Sequence, residues 1–220
     1  MENQLQICME LKPVIFIGHF LGGSVATLAT LWALGRRLKQ SCLFCVTFGC
    51  PLVRDVRLVE AVDRQNWAGN FCHVVSQQDI VPRILLAPFE SITMPLSTLL
   101  PYWRGIMTNV IKYASDYIIR DAYTALLHSI SGLDGVISGS PYRPFGVYMF
   151  CSNYGAACII NSETVLKMLH LTLQSQEKSS DKIVREHINY STVLENVIQT
   201  REEFRVAIHN PLTKWESHYS

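Results

Sequence analysis

The feature that most constrains this chain is the hexapeptide Gly18-His19-Phe20-Leu21-Gly22-Gly23, which separates a short apolar run from a long one. Glycines clustered with a histidine disfavour helix and indicate a tight turn. The β-branched residues Val14, Ile15 and Ile17 before it favour a short buried strand, and the apolar stretch after it has the length and small-residue face of a helix. The hexapeptide therefore predicts a strand, a sharp turn and a helix in succession.

The same region also has features of a membrane-spanning helix. Residues 14–35 carry no formal charge, are followed by Arg36 and Arg37, and contain the Gly18-x-x-x-Gly22 spacing found in membrane helix dimers. We favour the strand–turn–helix interpretation, because the clustered glycines would break such a helix in water. The start of the chain, Met-Glu-Asn-Gln, lacks the cationic and apolar segments of a secretory signal.

Composition indicates one globular domain with an insertion and limits the expected partners. The 220 residues are 49% hydrophobic and 17% charged, with 19 Lys and Arg against 18 Asp and Glu. The sequence shows no basic stripe interleaved with aromatic residues, so we expect no nucleic-acid partner. The odd number of cysteines, 7, predicts buried free thiols in a reducing compartment. Cys42 and Cys45 have the spacing of metal ligands, but strand alternation separates them, so we expect neither metal nor cofactor.

Strands and helices alternate along most of the chain, which predicts an α/β fold with a mostly parallel sheet and crossover helices. Strands are predicted at residues 14–17, 43–48, 71–76, 148–152 and 157–160, the last two forming a hairpin. Helices are predicted at residues 22–39, about 56–64, 162–174 with Ser162 as the N-cap, and 190–199.

A mostly helical pattern at residues 84–140 interrupts this alternation, with Pro88, Pro95 and Pro101 marking joints between helices. We interpret it as an insertion over one edge of the sheet, inside a single domain of residues 1–210 that is followed by an irregular tail at 211–220. Its apolar residues are expected to pack in the core, with a groove for a partner helix as the alternative. These residues are Leu99, Leu100, Tyr102, Trp103, Ile106, Met107 and Val110.

A strand, Gly-His-x-Leu-Gly-Gly and a helix are typical of an α/β-hydrolase, where this turn carries the nucleophile and the backbone N–H after it helps to form the oxyanion hole. Here Phe20 occupies the nucleophile position, and Leu21 supplies that N–H. Asp79 follows a predicted strand and is the candidate acid, with a loop carboxylate that caps local amides as the alternative. His187, before the last helix, is the candidate base, with a plain surface histidine as the alternative.

A phenyl ring cannot attack a carbonyl, so we considered relocated nucleophiles. Ser24 lies one turn into the predicted helix and would not project from the turn, while Cys50 follows a strand without a base placed beside it. Backbone strain at the turn costs roughly 1–3 kcal/mol. Burial of the ring recovers roughly 1.5–3 kcal/mol, so we predict that Phe20 fills the pocket where an acyl chain would lie. We expect His19, His73 and His170 to be structural.

Four motifs occur in one order, and together they resemble a known family. They are Gly18–Gly23, Thr47-Phe48-Gly49-Cys50-Pro51-Leu52, Asp79-Ile80-Val81-Pro82-Arg83 and Tyr142-Arg143-Pro144-Phe145-Gly146. The set is similar to the plant lipase-like immune regulators of the enhanced disease susceptibility, phytoalexin-deficient and senescence-associated carboxylesterase types, and most similar to the last. The segment around Asp79 resembles the acid-bearing segment of class 3 lipases. The resemblance spans about residues 13–199.

The resemblance implies an α/β-hydrolase-like domain followed by a helical C-terminal domain. It also implies heterodimers with an enhanced-disease-susceptibility-type partner, in the cytoplasm and nucleus, that relay signals from intracellular immune receptors. Carried over by position, the nucleophile, acid and base are Phe20, Asp79 and His187. Because the elbow comes so early in the chain, we expect a product truncated at its N-terminus and lacking the helical domain.

The resulting expectation is a non-catalytic lipase-like module that works by heterodimerisation. The alternative is an active carboxylesterase or acyl-lipid hydrolase with a relocated nucleophile. A third interpretation is an unstable truncation product, because a sheet without its first strands leaves an edge uncovered.

Overall fold

The computed structural model describes residues 13–36, 43–52, 55–77, 79–108, 116–131, 141–152, 155–174, 190–199 and 205–206. The strands are β1 Val14–His19, β2 Leu43–Phe48, β3 Phe71–Ser76, β4 Val147–Ser152, β5 Gly155–Ile159 and β6 Arg205–Val206. The α-helices in these ranges are α1 Leu21–Gly35, α2 Val56–Arg64, α3 Phe89–Met107, α4 Asp116–Ser131, α5 Ser162–Gln174 and α6 Tyr190–Gln199. Short 3₁₀ helices lie at Ala68–Asn70 and Val81–Leu86.

The described strands form one sheet in the order β1-β2-β3-β4-β5-β6. The first four strands run parallel, β5 is antiparallel to β4, and β6 is parallel to β5. The predicted α/β fold with a mostly parallel sheet is confirmed, and so is the hairpin of the fourth and fifth strands. The two-residue strand β6 was not predicted, since two residues carry no periodicity.

Helices cover both faces of the sheet. Helix α1 packs on β1 and β2, where Ala26, Ala33 and Leu34 share a core with Leu43 and Cys45. Strand alternation places the side chains of neighbouring residues on opposite faces, and helix α6 covers the second face at β4 and β5. The carboxyl ends of the parallel strands lie together at one edge of this layered structure. An α/β sheet carries its functional groups at that edge.

The segment predicted as an insertion contains α3 and α4, which pack against each other and onto the large core. The expected joints at Pro95 and Pro101 are wrong, because both prolines lie inside α3, whereas Pro88 does precede the helix. Each internal proline costs about 3 kcal/mol. The free energy gained by burying the large apolar side chains on the inner face of α3 is of the same order and offsets this cost. These side chains are Ile92, Leu99 and Trp103, each fully buried.

Two helix boundaries differ from the sequence prediction. Helix α1 ends at Gly35, earlier than expected, and the backbone N–H of Arg36 closes its last turn. The cap of α5 is Asn161 instead of Ser162, since the Asn161 Oδ1 accepts the Thr164 N–H at 2.9 Å. In the part of the chain that is described, no helix has both the length and the apolar character needed to cross a membrane.

Candidate functional site

The turn between β1 and α1 keeps the sharp geometry of a nucleophile elbow. Phe20 has φ 55° and ψ −127°, a backbone conformation that costs a bulky residue roughly 1–3 kcal/mol. Its N–H donates to the carbonyl of Phe48 at 3.0 Å, and its own carbonyl accepts from the N–H of Gly23 at 3.0 Å. The turn is therefore strained even though a bulky residue occupies it.

Two glycines allow the elbow to pack this closely. A Cβ added to Gly18 would collide with the backbone carbonyl of Gly22, and one added to Gly23 would lie 2.8 Å from the Cβ of Cys50. Both contacts are closer than side-chain carbons normally approach, so each position requires glycine. The absence of a side chain at these two positions therefore allows the strand, the turn and the helix to pack closely.

The ring of Phe20 is buried, as predicted, with only 8% of the residue exposed. It packs edge to face on the indole of Trp103, with ring centroids 5.5 Å apart and planes at 79°. Trp103 belongs to α3 and is fully buried, so the helix of the 84–140 segment closes over the elbow. Apolar packing thus fills the position from which a hydrolase presents its nucleophile.

Leu21 and the alternative nucleophiles lie beside the elbow. Leu21 is the first residue of α1, and its side chain is half exposed. The hydroxyl of Ser24 lies 3.5 Å from the Sγ of Cys50, so these two side chains contact each other. The Cys50 thiol also lies 3.4 Å from the carbonyl of Pro51. Ser24 is the fourth residue of α1, one turn into the helix, as the sequence predicts.

Asp79 follows β3, as predicted, and is fully buried. Its Oδ1 accepts the Val81 N–H at 2.9 Å, and its Oδ2 accepts the hydroxyl of Tyr190 at 2.6 Å. The first of these bonds is the local amide cap that the sequence left open as the alternative. The second connects the carboxylate to a helix 111 residues further along the chain.

Tyr190 is a site residue that sequence reasoning missed. It is the first residue of α6, its hydroxyl accepts the Ser76 N–H at 3.1 Å, and its ring lies 5.7 Å from that of His19 and 5.8 Å from that of Phe48. Burial, followed by the charge of Asp79, raises the pKa of Tyr190 well above its usual range. A lone tyrosine at a helix start carries no spacing signal that could have revealed this role.

Arg83 is a second buried residue of the site, and it organises the turn that carries Asp79. Its guanidinium donates to main-chain carbonyls of that turn and to two groups on α5. In the turn, Nη1 donates to the carbonyls of Ser76, at 3.4 Å, and Asp79, and Nη2 donates to the carbonyl of Gln77 at 3.1 Å. On α5, Nε donates to the Leu169 carbonyl at 2.8 Å, and Nη2 donates to the Thr172 hydroxyl at 2.6 Å. The Asp79–Arg83 motif contained this residue, but the pattern indicated no contact for it.

The candidate base, His187, lies outside the described residues, so the Asp–His pair remains a prediction. His73 is structural, as expected, since it is buried with its Nδ1 2.7 Å from the Thr47 hydroxyl. His170 is buried on α5, and His19 is partly exposed beside Tyr190.

The described cysteines are free thiols, as predicted, but only Cys45, Cys50 and Cys151 are buried, whereas Cys72 and Cys158 are partly exposed. Burial raises the pKa of Cys151 to about 12, so this thiol is unreactive at neutral pH. Cys42 lies outside the described residues. Across the ranges that the structure does describe, no group of three or more His, Cys, Asp or Glu side chains is arranged to hold a metal ion.

Comparison with known proteins agrees with the geometry of the elbow. The class 3 lipase family model matches residues 1–89. Protein EDS1B of Arabidopsis thaliana is 31% identical over 235 residues, which cover 94% of this chain and 37% of EDS1B. Lipase-like PAD4 of the same plant is 28% identical over 161 residues, 73% of this chain and 20% of PAD4. The chain is therefore similar to plant lipase-like proteins over most of its length.

A further relative has the word carboxylesterase in its name. Senescence-associated carboxylesterase 101 of Arabidopsis thaliana is 41% identical over 88 residues, 39% of this chain and 16% of that protein. The chain spans about a third of the length of Protein EDS1B and Protein EDS1. The lipase-like α/β-hydrolase fold predicted from the motifs is confirmed.

The solved structures that match include a triacylglycerol lipase whose catalytic centre is formed by a serine protease triad. The match has a TM-score of 0.41 and 17% identity, and it covers 70% of this chain and 39% of the lipase chain.

Proposed function

We propose that this chain is a non-catalytic lipase-like module that acts in plant innate immune signalling by binding a second lipase-like protein. The observation that carries the proposal is Phe20 at the elbow. In a serine hydrolase, removal of the nucleophile alone lowers turnover about a million-fold, or roughly 8 kcal/mol of barrier. The retained carboxylate of Asp79 cannot replace that atom.

The outer face of α1 supports a binding role. Helix α1 contains no charged residue, and its outward side chains Leu21, Val25, Leu28 and Trp32 are 54%, 66%, 55% and 48% exposed. Their spacing of four, three and four residues forms one continuous apolar stripe, which is typical of a helix that packs on another helix. A stripe of this kind on a soluble module indicates a protein partner.

The partner we propose is an enhanced-disease-susceptibility-type protein, in a heterodimer of the cytoplasm and nucleus. This choice is supported by the similarity to Protein EDS1B and Lipase-like PAD4 along most of the chain. The apolar stripe on α1 requires an equally apolar surface on the partner, because a charged surface would lose its hydration without compensation.

Co-purification of the chain with such a partner tests the proposal. Val25→Glu and Trp32→Glu place a carboxylate in the stripe, and we expect each to weaken binding at least about tenfold because the charge would be buried in the complex. Met94→Glu is the matched control, since Met94 is 78% exposed on α3, and it should bind normally. Absence of association at micromolar concentration, or equal loss in all three variants, would reject the proposal.

A further inference from the structure

We propose that Asp79 is a structural carboxylate that fastens helix α6 to the end of β3, together with Arg83 and Tyr190. We refer to these three residues as the buried anchor. All three are at most 6% exposed, and Asp79 and Arg83 are fully buried. The inference does not depend on the proposed function, because it concerns how the chain holds its own helices. It explains what Asp79 does in a chain whose elbow carries Phe20.

Both carboxylate oxygens of Asp79 have structural partners. The Val81 N–H at 2.9 Å fixes the start of the following 3₁₀ helix, and the Tyr190 hydroxyl at 2.6 Å comes from α6. A buried carboxylate is stable only when hydrogen bonds replace its lost hydration. Helix α6 supplies one of those bonds, so the docking of α6 and the burial of Asp79 support each other.

Tyr190 joins α6 to β3 through two bonds at one atom. Its hydroxyl donates to Asp79 and accepts the N–H of Ser76, the last residue of β3, at 3.1 Å. Among the described residues, Val193 and Leu194 also contact the sheet, and both are only partly buried. The hydroxyl of Tyr190 adds a buried polar contact that fixes the start of α6 on the sheet.

Arg83 supplies the positive charge and holds the turn in place. Its guanidinium donates to the carbonyls of Ser76, Gln77 and Asp79, so the cation lies within the turn that carries the carboxylate. The remaining donors reach the Leu169 carbonyl and the Thr172 hydroxyl of α5. Only the planar five-donor fork of arginine satisfies this set, and a lysine could not.

The backbone of the second motif is shaped to accept the buried anchor. Gly49 has φ +54°, and a Cβ at this position would collide with the Oδ2 of Asp79 and lie 3.0 Å from the Cε2 and hydroxyl oxygen of Tyr190. The Gly49 N–H donates to the carbonyl of Val74 at 3.0 Å, which keeps the main chain against β3. The anchor therefore packs directly on a glycine that leaves room for it.

Hydrogen exchange of the full chain, followed by mass spectrometry, tests the proposal. Tyr190→Phe removes only the hydroxyl, and we expect amides of α6 to exchange at least about tenfold faster while those of α4 keep their rates. Asp79→Asn should produce the same local change. In the double variant, α6 amides should exchange no more than about twofold faster than in the faster single variant, since both substitutions break the same hydrogen bond.

Leu126→Ala is the control for general loss of stability, because Leu126 is fully buried on α4 and far along the chain from the anchor. It should accelerate exchange in the core helices without singling out α6. The proposal is overturned if Tyr190→Phe leaves α6 exchange within about twofold of the natural chain, or if it loosens α4 and α6 equally. If Asp79→Asn does not fold, the comparison of Tyr190→Phe with Leu126→Ala still decides.

Discussion

Phe20 combines an unfavourable backbone with a favourable side chain. Its positive φ is strained for a phenylalanine, at a cost of roughly 1–3 kcal/mol. Burial of the ring against Trp103 returns a similar amount, and an edge-to-face aromatic pair adds about 0.5–1.5 kcal/mol. The elbow thus retains a hydrolase conformation that is stabilised by packing.

Replacement of Phe20 by alanine should therefore destabilise the chain. Phe20→Ala keeps the strained φ and removes the ring, so we expect the free energy of unfolding to fall by about 3 kcal/mol or more. Phe89→Ala is the control, because Phe89 is 68% exposed and its loss should change stability by less than about 0.5 kcal/mol. Urea denaturation measures both. An equal effect of the two substitutions would show that the Phe20 ring does not stabilise the elbow.

At the scale of elements, apolar periodicity predicted most of the fold, and its errors have identifiable causes. The five longer strands and helix α6 were predicted because alternation and helical spacing are visible in five or more residues. Helix α3 was expected to break at Pro95 and Pro101, but the burial of Trp103 and its neighbours overrides the proline signal. Tertiary contacts of this kind cannot be read from a local pattern.

The attachment of α6 through Tyr190 gives a pH dependence with a definite sign. The pKa of Tyr190 is raised in the folded chain, whereas in the unfolded chain its phenol ionises near pH 10. The neutral hydroxyl therefore makes its full contribution to the free energy of unfolding below about pH 10. As the pH rises further, that contribution falls by about 1.4 kcal/mol per pH unit.

Comparison of the natural chain with Tyr190→Phe isolates this effect from other titrating groups. Urea denaturation at about pH 9 and about pH 11 gives the difference in unfolding free energy between the two proteins, and that difference should shrink at the higher pH. A difference that stays constant between the two pH values would contradict the raised pKa of Tyr190.

At the scale of the whole molecule, the sequence predicted where the site residues lie in the fold, but it did not predict which side chains they contact. The order of motifs placed Phe20 on the elbow and Asp79 after β3, because both positions follow from the parallel sheet. The pairing of Asp79 with Tyr190 joins residues 111 positions apart, and no spacing rule predicts such a contact. The same holds for the edge-to-face pair of Phe20 and Trp103.

We propose that the lipase-like fold is retained here without hydrolysis. The most direct test is the rate at which the purified chain hydrolyses p-nitrophenyl butyrate. We predict a rate equal to that of buffer and unchanged by His187→Ala, since Phe20 offers no nucleophile. Hydrolysis that requires the protein and is abolished by His187→Ala would contradict the account and favour an esterase that uses Ser24 or Cys50.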